Sequence, residues 1–161
     1  LYTPLKARSW VAVWAGAVPG AIPPLLGWAA ATGEISLTSL SLFAVMFFWQ
    51  IPHFHAIALF RQEEYARAGL RVLPLEQGDV VTRRHIAFWS VVLLAVSATP
   101  FAFGHVSAAY LAAAAALGVP FTLLCLAGLR PTVSPRWAHQ VFGFSILYML
   151  GLFAALLVTR M

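Results

Sequence analysis

Five apolar stretches, 10–31, 37–60, 86–103, 108–129 and 141–159, take up most of this 161-residue chain. Each is close to the roughly 20 residues that a helix needs to cross a hydrocarbon layer. Inside lipid no water satisfies the backbone, so each stretch is expected to be helical. Composition agrees, with 61% hydrophobic and 9% charged residues. A water-soluble domain carries about 25% charged residues. The reading is an all-α, polytopic membrane helix bundle of about five transmembrane helices in a single domain. Gly104-His105-Val106-Ser107 divides the third and fourth stretches with a tight turn, and Pro100 and Pro120 predict kinks.

The net charge is +5, but the basic residues lie between the apolar stretches and not on one polar face, which argues against nucleic acid as a partner. Of the ten lysines and arginines, all but Arg160 fall in the alternate connections 1–9, 61–85 and 130–140. Basic connections stay in the cytoplasm, so 61–85 is expected there and the C-terminus outside. Cys125, the single cysteine, has no partner for an internal disulfide and reads as a packing residue. Trp28, Trp89 and Trp137 near helix ends suit an aromatic belt, and His105 and His139 read as interfacial. Gly16, Gly20 and the run Ala112–Ala116 suit close helix packing. Pro19, Pro23 and Pro24 leave two readings open, a kinked packing helix or a widened cavity beside the kink.

The second stretch ends Phe47-Phe48-Trp49-Gln50-Ile51-Pro52-His53-Phe54-His55. Polar residues within a span usually face the bundle interior or a wet cavity. At 100° per residue, Gln50, His53 and Glu64 fall on one face within about 80° if the helix continues past Pro52, and His55 points almost oppositely to His53. His53 itself is open to two readings, a packed hydrogen-bonded residue or one that faces substrate. The connection that follows holds Glu63, Glu64, Glu76 and Asp79, four of the five acidic residues, and five arginines. It reads either as a solvated, salt-bridged loop or as a polar lid, in which carboxylates hold Mg²⁺ and arginines take phosphate oxygens. There is no Gly-x-Ser-x-Gly, Cys-x-x-Cys, phosphate loop or His-Glu-x-x-His in the chain.

These residues resemble the heme O synthase (protoheme IX farnesyltransferase) branch of the UbiA-type intramembrane prenyltransferases. The likeness rests on Tyr2-Thr3-Pro4-Leu5-Lys6, Pro19-Gly20-Ala21-Ile22-Pro23-Pro24-Leu25-Leu26-Gly27-Trp28 with Thr32-Gly33, Trp49-Gln50-Ile51-Pro52-His53-Phe54, and Glu64-Tyr65 through Ala68-Gly69 to Leu73-Pro74. It covers most of 1–78, and beyond that lies mainly in helix spacing. Two departures stand out. Glu64 replaces the aspartate usual before the loop tyrosine. The first aspartate-rich motif of the family is also missing, so the five stretches correspond to the last five of about nine helices.

The resemblance implies transfer of farnesyl from farnesyl diphosphate to a vinyl group of heme b, giving heme O for heme A and cytochrome oxidase biogenesis, in a bacterial inner membrane. It implies Mg²⁺ as cofactor, heme b as substrate, and heme A synthase or oxidase assembly factors as partners. Glu64, with Glu63, would form half of a metal–diphosphate site. Lys6, Arg8 and Arg61 would contact diphosphate or the heme propionates, Gln50 and Tyr65 would help bind substrate, and His53 would orient heme or relay a proton. Two other readings stay open, an aromatic quinone-precursor prenyltransferase and a non-catalytic membrane subunit or transporter half. The expectation includes roughly four further helices upstream, without which the chain would be inactive.

The charge asymmetry makes a direct prediction about topology. A cysteine placed at Gln77 should react with an impermeant thiol reagent only after the cells are opened. Labelling of intact cells from outside would reverse the assigned orientation.

Overall fold

The computed structural model describes residues 7–104 and 106–159. Its elements are helices: α1 Ala12–Thr32, α2 Leu37–Phe60, α3 Gln62–Arg67, α4 Leu73–Val96, α5 Thr99–Ala102, α6 Ala108–Leu126 with a 3-10 turn at Ala127–Leu129, and α7 Trp137–Thr159. Five segments are long and apolar enough to cross a membrane: α1, α2, the α4–α5 stretch Leu73–Ala102, α6 with its 3-10 turn, and α7. The chain is an integral membrane protein of all-helical fold.

Local chemistry sets the ends of these helices. α1 stops at Gly33, whose φ of 79° lets its N–H return to the Ala29 carbonyl. α2 starts at a reciprocal cap, in which Ser36 accepts from the Ser39 N–H while Ser39 Oγ accepts from the Ser36 N–H. α4 begins at Leu73, well ahead of the apolar stretch that starts at Ile86, and α7 begins at Trp137, ahead of Val141. An apolar stretch marks only the part of a helix that lies in hydrocarbon. Pro74, tolerated in a first turn, and the water-facing charges beyond it carry α4 further. Gly78, at φ 83° and ψ 168°, interrupts α4 near that end. Pro100 lies in the first turn of the separate helix α5, whereas Pro120 sits inside α6.

α2 is the hub. It packs on α1, α4 and α7, and α6 joins α4 to α7, so α2, α4, α6 and α7 close a ring with α1 on its flank. The ring's core holds Val45, Ile86, Leu93, Tyr110, Phe121 and Tyr148, and Cys125 is fully buried there. Some buried hydroxyls find acceptors within their own helices, Ser41 on the Thr38 carbonyl at 2.7 Å and Ser90 on the Ala87 carbonyl at 2.8 Å, whereas those of Thr38 and Tyr110 have no partner among the described residues. Others cross between helices. The Ser97 and Tyr148 hydroxyls share a hydrogen bond, Thr122 Oγ1 donates to the Ser90 carbonyl at 3.3 Å, and Trp137 Nε1 donates to the Leu124 carbonyl at 2.8 Å. Lipid supplies no hydrophobic drive between helices, so close packing and bonds of this kind hold the bundle.

Gly20 shows how tightly α1 meets α2. A Cβ there would run into the Gln50 side-chain amide, whereas Gly27 has nothing within 4 Å. Gly20→Ala should therefore cost about 1–3 kcal/mol of overpacking, and Gly27→Ala close to nothing. Reversible unfolding in mixed micelles compares the two, and equal losses would contradict this packing.

Candidate active site

The polar residues of α2 turn to different neighbours. Gln50, 5% exposed, donates its amide to the Ala17 carbonyl of α1 and to the Met46 carbonyl of its own helix, both at 3.2 Å. Trp49 Nε1 donates to the Ser145 carbonyl of α7 at 2.7 Å. His53 Nδ1 lies 2.7 Å from Ser145 Oγ. Ser145 has one hydroxyl proton and gives it to the Phe142 carbonyl at 2.6 Å. Towards His53 its oxygen therefore accepts, and Nδ1 carries the ring proton. In the neutral ring this leaves Nε2 as the proton-accepting nitrogen. The ring is held flat against Trp49, with centroids 4.6 Å apart, and lies 4.9 Å from Phe142.

His55 looks the other way, as the helical period requires. It is 3% exposed, and its ring meets His85 of α4 edge-on at 5.7 Å. His85 in turn meets Trp10 edge-on at 5.5 Å. His55 Nε2 and His85 Nδ1 are both buried with no hydrogen-bond partner among the described residues. His55 also lines a cavity of about 170 Å³, shared with Trp10, Phe54, Tyr65, Leu70 and Arg71.

Past Phe60 the helix breaks, because Arg61 takes φ −117° and ψ 23°. The connection 61–72 is consequently a short helix and a turn, the turn formed where Gly69 adopts φ 67°. Arg61 Nη1 donates to both oxygens of Glu64, at 2.9 and 2.6 Å. Both side chains are more than half exposed, so water screens the pair and it holds little energy. Gln62 ties α3 to α4 through Asp79 Oδ1 at 2.8 Å. Arg67 Nε donates to the Glu63 carbonyl, and Arg71 lies 3.5 Å from Glu76. The Glu63 carboxylate has no ion-pair partner among the described residues.

The expected line of Gln50, His53 and Glu64 is thus not assembled. Gln50 faces α1, His53 faces α7, and the break at Arg61 swings Glu64 onto α3. Tyr65 is half-buried at the cavity of His55, and Arg8 is exposed. Lys6 lies outside the described residues. Among the described residues no group of three or more His, Cys, Asp or Glu side chains could hold a metal ion. Glu63 and Glu64 are still hard oxygen donors of the kind Mg²⁺ takes, and Mg²⁺ usually needs only one or two carboxylates beside substrate phosphates and water. The donor set fits one side of such a site. Sequence reasoning missed Ser145, His85 and Arg71. A serine amid the apolar residues of α7 was the one signal available for the first.

The fixed tautomer can be checked directly. In Ser145→Ala the acceptor for His53 Nδ1–H is gone. The ring nitrogen chemical shifts of His53 should move from a single Nδ1-protonated form to a tautomer mixture, and unchanged shifts would contradict the assignment.

A model of the UbiA prenyltransferase family matches residues 1–147. Among curated proteins, the chain is 53% identical over 158 residues to the protoheme IX farnesyltransferase of Sorangium cellulosum (strain So ce56), covering 98% of this chain and 56% of that protein. It is 49% identical over 159 residues to that of Myxococcus xanthus (strain DK1622), covering 99% and 54%. It is 39% identical over 160 residues to that of Anaeromyxobacter dehalogenans (strain 2CP-C), with the same coverage of 99% and 54%. The chain therefore spans about half the length of the curated relatives it matches. No solved structure matches it.

Proposed function

This chain belongs to the UbiA prenyltransferase family, and from that premise we propose that it takes part in farnesyl transfer from farnesyl diphosphate to a vinyl group of heme b, giving heme O. The likeness to protoheme IX farnesyltransferases over nearly the whole chain carries this reading. The membrane is the bacterial inner membrane, with 61–72 on the cytoplasmic side.

The reaction breaks the allylic C–O bond of farnesyl diphosphate, whose electron pair leaves with diphosphate. The vinyl carbon then bonds to the farnesyl terminus, and water captures the resulting cation and loses a proton. Mg²⁺, when bound, supplies positive charge that stabilises the leaving diphosphate. Glu63 and Glu64 are the residues that would hold it. The exposed Arg61–Glu64 pair opens at small cost. Its opening frees a carboxylate for the metal and a guanidinium for diphosphate oxygens at the same time. Arg8 and Lys6 add positive charge for the same anion, and Tyr65 binds substrate from the start of the connection. Within the bundle His53, held by Ser145, presents Nε2 as the acceptor for the proton released when water adds. Gln50 keeps α1 against α2, and the apolar walls keep water from the cation until the new carbon bond has formed.

Glu64→Gln keeps the shape of the side chain and removes its charge. Assayed in the protein encoded by the full reading frame, it should lower farnesyl transfer to heme b by about 100-fold, the scale of one lost electrostatic contact in a transition state. Unchanged turnover with unchanged Mg²⁺ dependence would remove Glu64 from the site.

A further inference from the structure

Beside the groups already placed in the reaction lies a half-open cavity of about 170 Å³, where the start of α1, the second half of α2 and the segment from Tyr65 to Leu73 meet. Pockets that hold a whole ligand run from about 300 to 1,000 Å³, so this one seats an arm of a molecule. Its walls are mostly apolar, with Trp10, Val13, Phe54 and Leu70 among them. Three side chains bring polar groups, Tyr65, Arg71 and His55. His55 Nε2 is buried without a partner, a state that native proteins rarely leave uncompensated. Arg71 is loosely engaged, 3.5 Å from Glu76 with its own side chain 60% exposed.

Arg71, once it turns from Glu76, balances a single negative charge, and the neutral imidazole of His55 adds none. That is too little for a diphosphate, which carries several. The walls call for an apolar stem behind the charge. A carboxylate on a short alkyl stem satisfies all three conditions: size, charge and apolar attachment. Of the two substrates in the proposed reaction, heme b carries such arms. We propose that this cavity seats one carboxyalkyl arm of the tetrapyrrole, its carboxylate taken by Arg71 at the rim and by His55 within, which makes both residues positioning groups for the acceptor. The inference rests on the reading that heme b is that acceptor. It puts His55 in a substrate subsite separate from His53, on the opposite side of α2.

The test compares metal-free protoporphyrin IX with its dimethyl ester, which keeps the ring and loses both charges. Binding to the detergent-solubilised protein is followed by porphyrin fluorescence. The wild type should bind the diacid at least about 10-fold more tightly than the ester, the scale of one charge-assisted hydrogen bond. Arg71→Gln and His55→Phe should each abolish most of that preference while leaving ester affinity in place, which also reports that the variants are folded. His85→Phe, beside the cavity but not lining it, should keep the preference, and inorganic diphosphate should not displace the diacid. Equal binding of diacid and ester by the wild type, a preference that survives Arg71→Gln and His55→Phe, or displacement by diphosphate would each overturn the assignment. Porphyrin binding and farnesyl transfer without any diacid preference would sink this inference alone. Binding of neither porphyrin would sink the heme reading with it.

Discussion

A polar group inside a bilayer has only protein to bond with, and the middle of α2 is arranged around that constraint. Gln50 spends its amide on α1, and Trp49 and His53 spend their ring N–H groups on a single residue of α7. Interhelical bonds of this kind average about 0.6 kcal/mol in membranes, so none of them alone holds the fold. Their effect is directional. They fix the rotation of α2, and with it which residues face α1, α7 and the cavity. Gly20 is part of the same arrangement, since the Gln50 amide occupies the space its missing Cβ leaves.

Rotation of α2 divides the chemistry of the site. One face presents an aromatic enclosure around His53, with the protonation of the ring settled by Ser145. The opposite face presents His55 to a small cavity with an arginine at its rim. Where α2 ends, the break at Arg61 turns the chain outward, so that charged side chains stand in water at the mouth of the bundle and not in hydrocarbon. In the proposed reaction, carboxylates and guanidinium groups held there in weak, exposed pairs would be available to an incoming anion and its metal. The same groups buried as tight pairs would be costly to separate.

Some of this could be read from the amino-acid order and some could not. α2 was legible to its ends, because its apolar stretch 37–60 is bounded by Arg61 and coincides with the helix Leu37–Phe60. The start of α4 was not, because a helix that leaves the membrane stops being apolar before it stops being helical. The helical period placed His53 and His55 on opposite faces, which the structure bears out. It could not say what each face meets. His53 finds its partner 92 residues away in Ser145, and Arg71 comes to line the cavity of His55 only after Gly69 turns the chain back. The face shared by Gln50, His53 and Glu64 assumed a helix unbroken at Arg61, and no residue type in that segment announces the break. The bonding of Arg61 to Glu64, a local pair three residues apart, belongs to what sequence can suggest.

The central claim is that the acceptor of the prenyl group is a heme. Its most direct test offers the protein encoded by the full reading frame equal amounts of heme b and a hydroxybenzoate, with farnesyl diphosphate and Mg²⁺, and identifies the products by mass spectrometry. The account predicts heme b carrying one farnesyl and one hydroxyl group, with no prenylated hydroxybenzoate. Prenylated hydroxybenzoate with unmodified heme b, or neither product from well-folded protein, would contradict it.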